Sequence, residues 1–225
     1  MHLLNYYWYF TKALPVGLCN RILKLGKSKK LSSAAVVDEA KKDQPLNKQE
    51  METLKKVKRN SKVKKDSKVK RDSKVVWLAE PWIYKAIHPF VYTANKSAGW
   101  NFEWNWSEPA QFTQYKKGMY YNWHRDSAAK PYPSKLGSSF AGKTRKLTSV
   151  LVLSNPSEYK GGELEFQFQA EDPQFNKGRK IKVANEVAPK GSIIVFPSFV
   201  WHRVKPVTKG VRYSMPAWHI GWPFK

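Results

Sequence analysis

His124-Arg125-Asp126 and His202 are the residues in this chain whose types and spacing could do chemistry together, with Arg212 ten positions beyond the second histidine. Two histidines and one carboxylate are the ligand set of a non-haem Fe(II) oxygenase. Such a set covers one face of the metal and leaves the opposite face open for substrate and dioxygen. In His124-x-Asp126 the two side chains are two apart, so a strand would project both the same way, and just past a strand end they could grip one ion together. His202 ends a largely apolar stretch, 192–202, that contains Ile193-Ile194-Val195-Phe196. An arginine shortly after the second histidine is where a cofactor carboxylate could be held, because its planar fork can bind both oxygens.

These residues need a scaffold that brings distant strands together. The first 26 residues contain one short helical pattern, 15–25, with Pro15 suited to its first turn and Gly26 to its C-terminal cap. Residues 27–43 read as loop, and 49–56 as a further turn or two of helix. Residues 81–95 are helical by the recurrence of Ile83, Ile87 and Val91, although Pro89 would kink or end that helix. The chain then turns to short strands. Residues 100–106 alternate with period two, and further strands are expected over 111–115, 120–123, 147–153, 163–168, 179–183, 192–196, 201–207 and 212–219. Gly, Pro, Asn and Ser separate them. The fold class expected is therefore α+β, with N-terminal helices packed on a sandwich or jelly roll.

A hexapeptide repeats three times: Arg59-Asn60-Ser61-Lys62-Val63-Lys64, Lys65-Asp66-Ser67-Lys68-Val69-Lys70 and Arg71-Asp72-Ser73-Lys74-Val75-Val76. The copies lack the apolar content to stack on one another. The third can start a strand leading to Trp77-Leu78; the first two read as a charged loop insertion. This divides the chain into an N-terminal helical and loop region (1–57), a Lys-rich repeat (58–74) and a domain that carries the site (75–225).

Composition narrows the function classes. The 225 residues can bury a sizeable core, and no run of about 18 apolar residues suggests a membrane span. The N-terminus lacks a basic leader and a small-residue cleavage site, so a cytoplasmic location is expected. The single cysteine, Cys19, excludes an internal disulfide and any multi-cysteine zinc site. The formal net charge of +24, from 41 basic and 17 acidic residues, is spread along the chain and could attract nucleic acid or other anions.

Three segments carry a resemblance. Gln114-Tyr115-Lys116-Lys117-Gly118-Met119-Tyr120-Tyr121-Asn122-Trp123-His124-Arg125-Asp126 resembles the Tyr-x-x-Gly-x-x-Tyr-x-x-His-x-Asp segment of prolyl-4-hydroxylase-like Fe(II)/2-oxoglutarate oxygenases. His202-Arg203-Val204-Lys205-Pro206-Val207-Thr208-Lys209-Gly210-Val211-Arg212 is similar to the His-x-Val-x-Pro-Val-x-x-Gly-x-Arg segment of the PKHD-type hydroxylases. Gly161-Gly162-Glu163-Leu164 matches the family's Gly-Gly-Glu strand entry.

The resemblance implies a double-stranded β-helix with Fe(II) held by His124, Asp126 and His202 at its mouth. It implies that 2-oxoglutarate pairs with Arg212, helped by Ser214 and Tyr115, and that Trp218 borders the substrate. Ascorbate is implied as the reductant. The implied reaction hydroxylates a C–H bond of a peptidyl residue, proline by the family's default, with succinate and carbon dioxide as coproducts. A nucleic-acid-directed oxygenase and a non-catalytic β-helix binding module are the alternatives. The basic, Gly-, Ser- and Pro-containing segment 127–145 is a candidate lid or substrate loop. Trp123 and Trp201 are expected to pack away from the metal, Trp104 and Trp106 to lie in the core, and His2, His88 and His219 to be structural or surface residues.

Overall fold

The computed structural model describes residues 5–34, 71–128, 130–168 and 181–224. Its elements in chain order are β1 (Trp8–Phe10), α1 (Val16–Ser28), β2 (Ser32–Ala34), β3 (Arg71–Leu78), α2 (Pro81–Ser97), β4 (Trp106–Ser107), β5 (Ala110–Lys116), β6 (Tyr120–His124) and β7 (Thr144–Val152). Six more strands come after these: β8 (Tyr159–Gly161), β9 (Leu164–Gln167), β10 (Lys182–Val183), β11 (Ile193–Pro197), β12 (Trp201–Val204) and β13 (Val207–Gly221).

The strands form one curled antiparallel sheet in the order β1-β11-β7-β13-β5-β3-β6-β12-β9-β10. β2 adds to β3, while β4 and β8 add to β13. The curl turns at β3, whose first residues pair with β6 and whose remainder pairs with β5. The result is the jelly-roll core expected, mostly β with two helices.

Two apolar clusters hold the layers. The first lies between the helices and the larger layer, with Ile22 of α1 and Ile83, Ile87, Val91 and Ala94 of α2 facing Phe112, Leu147, Leu151 and Met215. The second fills the barrel interior with Val150, Leu164, Phe166, Phe196, Val204 and Val207. α2 runs through Pro89. Pro89 and Lys85 both lie on its exposed side, where water can take the carbonyl that a proline four residues on leaves without a donor.

Several expectations need correction. α1 does not end at Gly26 but continues to Ser28. Gly26 is instead a packing residue, since a Cβ there would meet the Phe112 ring. Residues 32–34 form a strand rather than loop. The alternation over 100–106 yields strand only from Trp106, because residues 101–105 wrap the end of α2, where the Asn95 side chain bonds both backbone groups of Phe102. Trp106 is accordingly exposed, not core. β3 starts at Arg71, so residues 71–74, grouped with the repeat by their sequence, lie in the sheet. The earlier repeat copies, residues 49–56 and His2 fall outside the described residues.

Candidate active site

β6 and β12 are neighbours, and their register places His202 directly opposite His124. Asp126 lies just beyond β6, where its backbone N–H donates to Ser198 O at 2.8 Å. This turns its carboxylate back onto the two rings: Oδ1 is 3.7 Å from His124 Nε2 and Oδ2 is 3.4 Å from His202 Nε2. One ligating atom from each residue falls within 4.8 Å of the other two.

Both imidazoles are held in the tautomer a metal needs. His124 Nδ1 is 2.7 Å from Asn122 O, and His202 Nδ1 is 3.0 Å from Val200 O. A carbonyl can only accept, so each Nδ1 carries a proton, and Nε2 is the nitrogen left to face a metal. Burial pushes the His124 pKa well below its usual value, and His202 beside it adds to the effect. Burial would raise the Asp126 pKa, but the two imidazoles and Arg145 outweigh it and keep the carboxyl below its usual range. Thr148 Oγ1 donates to Asp126 Oδ2 at 2.9 Å and stands 3.0 Å from Ser198 Oγ. Two imidazoles and an oriented carboxylate fit Fe(II).

Below the triad, β13 supplies the inward row Arg212, Ser214, Pro216 and Trp218, all of which line one pocket with the three ligand residues. Pro216 therefore does not interrupt the even spacing. Arg212 is 3% exposed; its Nη1 donates to Ser214 Oγ at 2.9 Å and its Nε has no hydrogen-bond partner. Among the described residues no carboxylate pairs with it. A buried guanidinium in that state is built for an anion, and a carboxylate with two oxygens matches its fork. Tyr115 lies across from Arg212 in the β5–β13 register, its ring centroid 5.7 Å from the guanidinium carbon.

Gly162, the second glycine of the Gly161-Gly162 pair, also serves this arginine. Gly162 has φ +68°, and a Cβ there would stand 2.9 Å from Arg212 Cδ and 2.9 Å from Val207 Cγ2. The glycine leaves the space that the arginine stem occupies.

The structure adds residues the sequence did not single out. Tyr121 lies flat on His124, ring centroids 3.4 Å apart. Arg71 is buried in the same pocket; its Nε donates to Ser73 Oγ at 2.8 Å, its Nη2 to Gln111 Oε1 at 2.5 Å, and its guanidinium lies 4.6 Å from the Tyr121 ring. At the mouth, Arg145 overlies Trp218 at 4.0 Å and makes two 2.6 Å bonds to Glu108. The Trp218 indole N–H is buried without a hydrogen-bond partner. Of the residues added here, only Tyr121 was marked, by the Tyr-x-x-Gly-x-x-Tyr spacing; Arg71, Gln111 and Arg145 are single polar residues on strands, and Glu108 lies between β4 and β5.

Trp123 and Trp201 face away from the triad. Arg203 covers Trp123 at 4.6 Å and Arg125 covers Trp201 at 4.9 Å. His88 and His219 join Ser107 and Ser149 in a chain of hydrogen bonds of 3.0, 2.9 and 2.9 Å behind the sheet.

Two histidines and an aspartate at the mouth of a jelly roll, above a buried arginine, form a group that could hold a metal ion. Residues 110–220 match the family model of the 2OG-Fe(II) oxygenase superfamily. That segment is about half of the chain, and it is similar to PKHD-type hydroxylases. A PKHD-type hydroxylase of Xylella fastidiosa is 31% identical over 110 residues, covering 49% of this chain and 43% of the relative. One from Janthinobacterium is 34% identical over 110 residues, covering 49% and 42%. The match thus spans less than half the length of these curated relatives.

In fold, the chain is similar to a Pseudomonas putida prolyl-4-hydroxylase, with TM-score 0.60 at 18% identity over 96% of this chain and 93% of that one. It is also similar to a Trichoplax adhaerens prolyl hydroxylase solved with a hypoxia inducible factor peptide fragment, with TM-score 0.58 at 17% identity over 96% and 84%. Among the described residues no helix is long and apolar enough to cross a membrane.

Proposed function

We propose that this protein is an Fe(II)/2-oxoglutarate-dependent hydroxylase acting on a peptidyl residue, with proline as the first candidate. One observation carries the reading: the His124–Asp126–His202 triad shares its pocket with a buried arginine that pairs with no carboxylate among the described residues. His124 and His202 would hold the iron through Nε2 and Asp126 through its carboxylate. Arg212 and Ser214 would bind the distal carboxylate of 2-oxoglutarate, with Tyr115 beside them. When bound, the iron and 2-oxoglutarate supply dioxygen activation and hydroxylation of an unactivated C–H bond, with release of succinate and carbon dioxide.

The chain's own residues orient and shield. Val150, Leu164 and Val204 wall the space between the triad and Arg212, which keeps water from the arginine–carboxylate pair and strengthens it. Asn122 O and Val200 O fix the ring orientations, and Thr148 fixes the carboxylate. Trp218 and Arg145 form the rim a substrate would pass. Support for a peptide comes from the fold neighbour solved with a peptide fragment, and support for a hydroxylase from the names of the relatives. Ascorbate is the reductant we assign for restoring Fe(II).

The test is mass spectrometry of proline-containing peptides incubated with Fe(II), 2-oxoglutarate, ascorbate and oxygen. A gain of one oxygen with stoichiometric succinate is expected, and neither should form with His124→Ala. Oligonucleotides form a parallel arm; oxygen gained there alone would replace the peptide reading with a nucleic-acid one, whose binding should weaken steeply with salt.

A further inference from the structure

The stretch between β6 and β7 is longer than a simple connection and is tied to the barrel by a phenol. Within it the chain closes on itself: Tyr132 N–H donates to Lys143 O at 2.8 Å, and Gly142 N–H donates to Tyr132 O at 2.9 Å. The Tyr132 ring stands edge-on to Phe140, centroids 5.7 Å apart. Residues 133–138 project beyond this closure and are exposed. From the closure, Tyr132 reaches inward and donates its phenol to Glu108 Oε1 at 2.6 Å.

Glu108 is not a surface acceptor. It is 6% exposed, and it takes Arg145 Nε on Oε1 and Arg145 Nη2 on Oε2, both at 2.6 Å. Arg145 in turn lies 4.0 Å over the Trp218 ring and donates Nη1 to the backbone oxygen of Asp126 at 3.3 Å. Burial raises the Tyr132 pKa, so the phenol stays protonated and can only donate to the carboxylate. A continuous set of bonds thus runs from an exposed segment to the peptide of a metal ligand and to the rim of the pocket.

We propose that Tyr132 is a positioning residue: it docks the 130–143 segment on Glu108 and, through Glu108, holds the Arg145 guanidinium over Trp218. The consequence for substrate rests on the hydroxylase reading above; the docking does not. With the phenol in place, Glu108 has one orientation that serves three donors. Without it, the carboxylate and guanidinium are free to turn as a pair, the rim loosens, and the segment opens more often.

The variant Tyr132→Phe removes one oxygen and keeps the ring against Phe140. Lys135 is exposed in the projecting part and is followed by Leu136, so trypsin can cut there once the segment opens. In the full chain, with fragments identified by mass, cleavage after Lys135 should be about tenfold faster in the variant, the scale expected for losing a hydrogen bond to a charged acceptor. The peptide KM should rise by a similar factor, with kcat changed less. An unchanged cleavage rate overturns the docking whatever the activity. Faster cleavage with an unchanged peptide KM overturns the positioning role. If the wild-type protein hydroxylates no peptide, the hydroxylase reading fails, while the cleavage comparison still decides the docking.

Discussion

His124 and His202 are held by the same device: each ring donates Nδ1–H to the carbonyl two residues before it, Asn122 O at 2.7 Å and Val200 O at 3.0 Å. The two residues are also cross-strand partners, so one register and two local bonds aim both Nε2 atoms at Asp126. His124→Ala and His202→Ala should each abolish tight Fe(II) or Co(II) binding while leaving the fold intact. Calorimetric titration checks this, and retention of wild-type affinity by both variants would falsify the assignment.

Thr148 acts on the third ligand. Its hydroxyl donates to Asp126 Oδ2, and valine has nearly the same shape with no donor. Thr148→Val should weaken metal binding by about 10–100-fold, the usual cost of removing a ligand's hydrogen-bond partner. Circular dichroism should show no change in strand content, because residue 148 keeps its place in β7.

Arg212→Lys should be far from conservative. Lysine keeps the charge but loses the fork that meets two carboxylate oxygens, and its ammonium would leave Ser214 Oγ without its donor. We expect the KM for 2-oxoglutarate to rise by about tenfold or more, the equivalent of at least one charged hydrogen bond. The peptide KM measured at saturating 2-oxoglutarate should move much less.

The two histidines behind the sheet give a pH dependence of stability. Burial, together with the neighbouring His88, pushes the His219 pKa down to about 3, and burial lowers His88 as well. A histidine that stays neutral in the folded protein binds its proton only on unfolding. Its contribution is fully present above the unfolded value near 6.5 and is lost as pH falls from there towards the folded value. The slope for His219 should approach about 1.4 kcal/mol per pH unit in that window. Urea unfolding of wild type and His219→Gln between pH 7.5 and 5 isolates it: the variant should be less stable at pH 7.5, and the gap should narrow at pH 5.

What could be read from residues alone divides along physical lines. That His124, Asp126, His202 and Arg212 would share a pocket was legible, because binding a metal and a carboxylate calls for particular residue types in a particular order along the chain. Helix α2 was legible because Ile83, Ile87 and Val91 share one face, all buried. Arg71, Gln111 and the Glu108–Arg145 pair were not, since each is a lone polar residue whose partner arrives from another strand. Gly26 looked like a helix cap because glycine serves both as cap and as close-contact residue, and only the Phe112 ring against it tells which. The strand expected at 100–106 failed for a related reason: alternating aromatics mark a half-buried surface, and here that surface is the end of α2.

Gly162 offers a sharper test of how the pocket floor is built than any ligand residue. It sits at φ +68°, a conformation that side-chain-bearing residues rarely adopt, so alanine there strains the backbone. The added methyl would also press on Arg212 Cδ and Val207 Cγ2, both at 2.9 Å. Val207 is buried among apolar neighbours and has little room to move. The Arg212 stem is the softer of the two, so the guanidinium should shift before the core does. Gly162→Ala should therefore cost stability on the order of 1–3 kcal/mol from strain. It should also raise the KM for 2-oxoglutarate, while Fe(II) affinity, set by His124, Asp126 and His202 farther up the pocket, stays near wild type. Parallel metal titration and 2-oxoglutarate kinetics would distinguish this from general unfolding, which would lower both together.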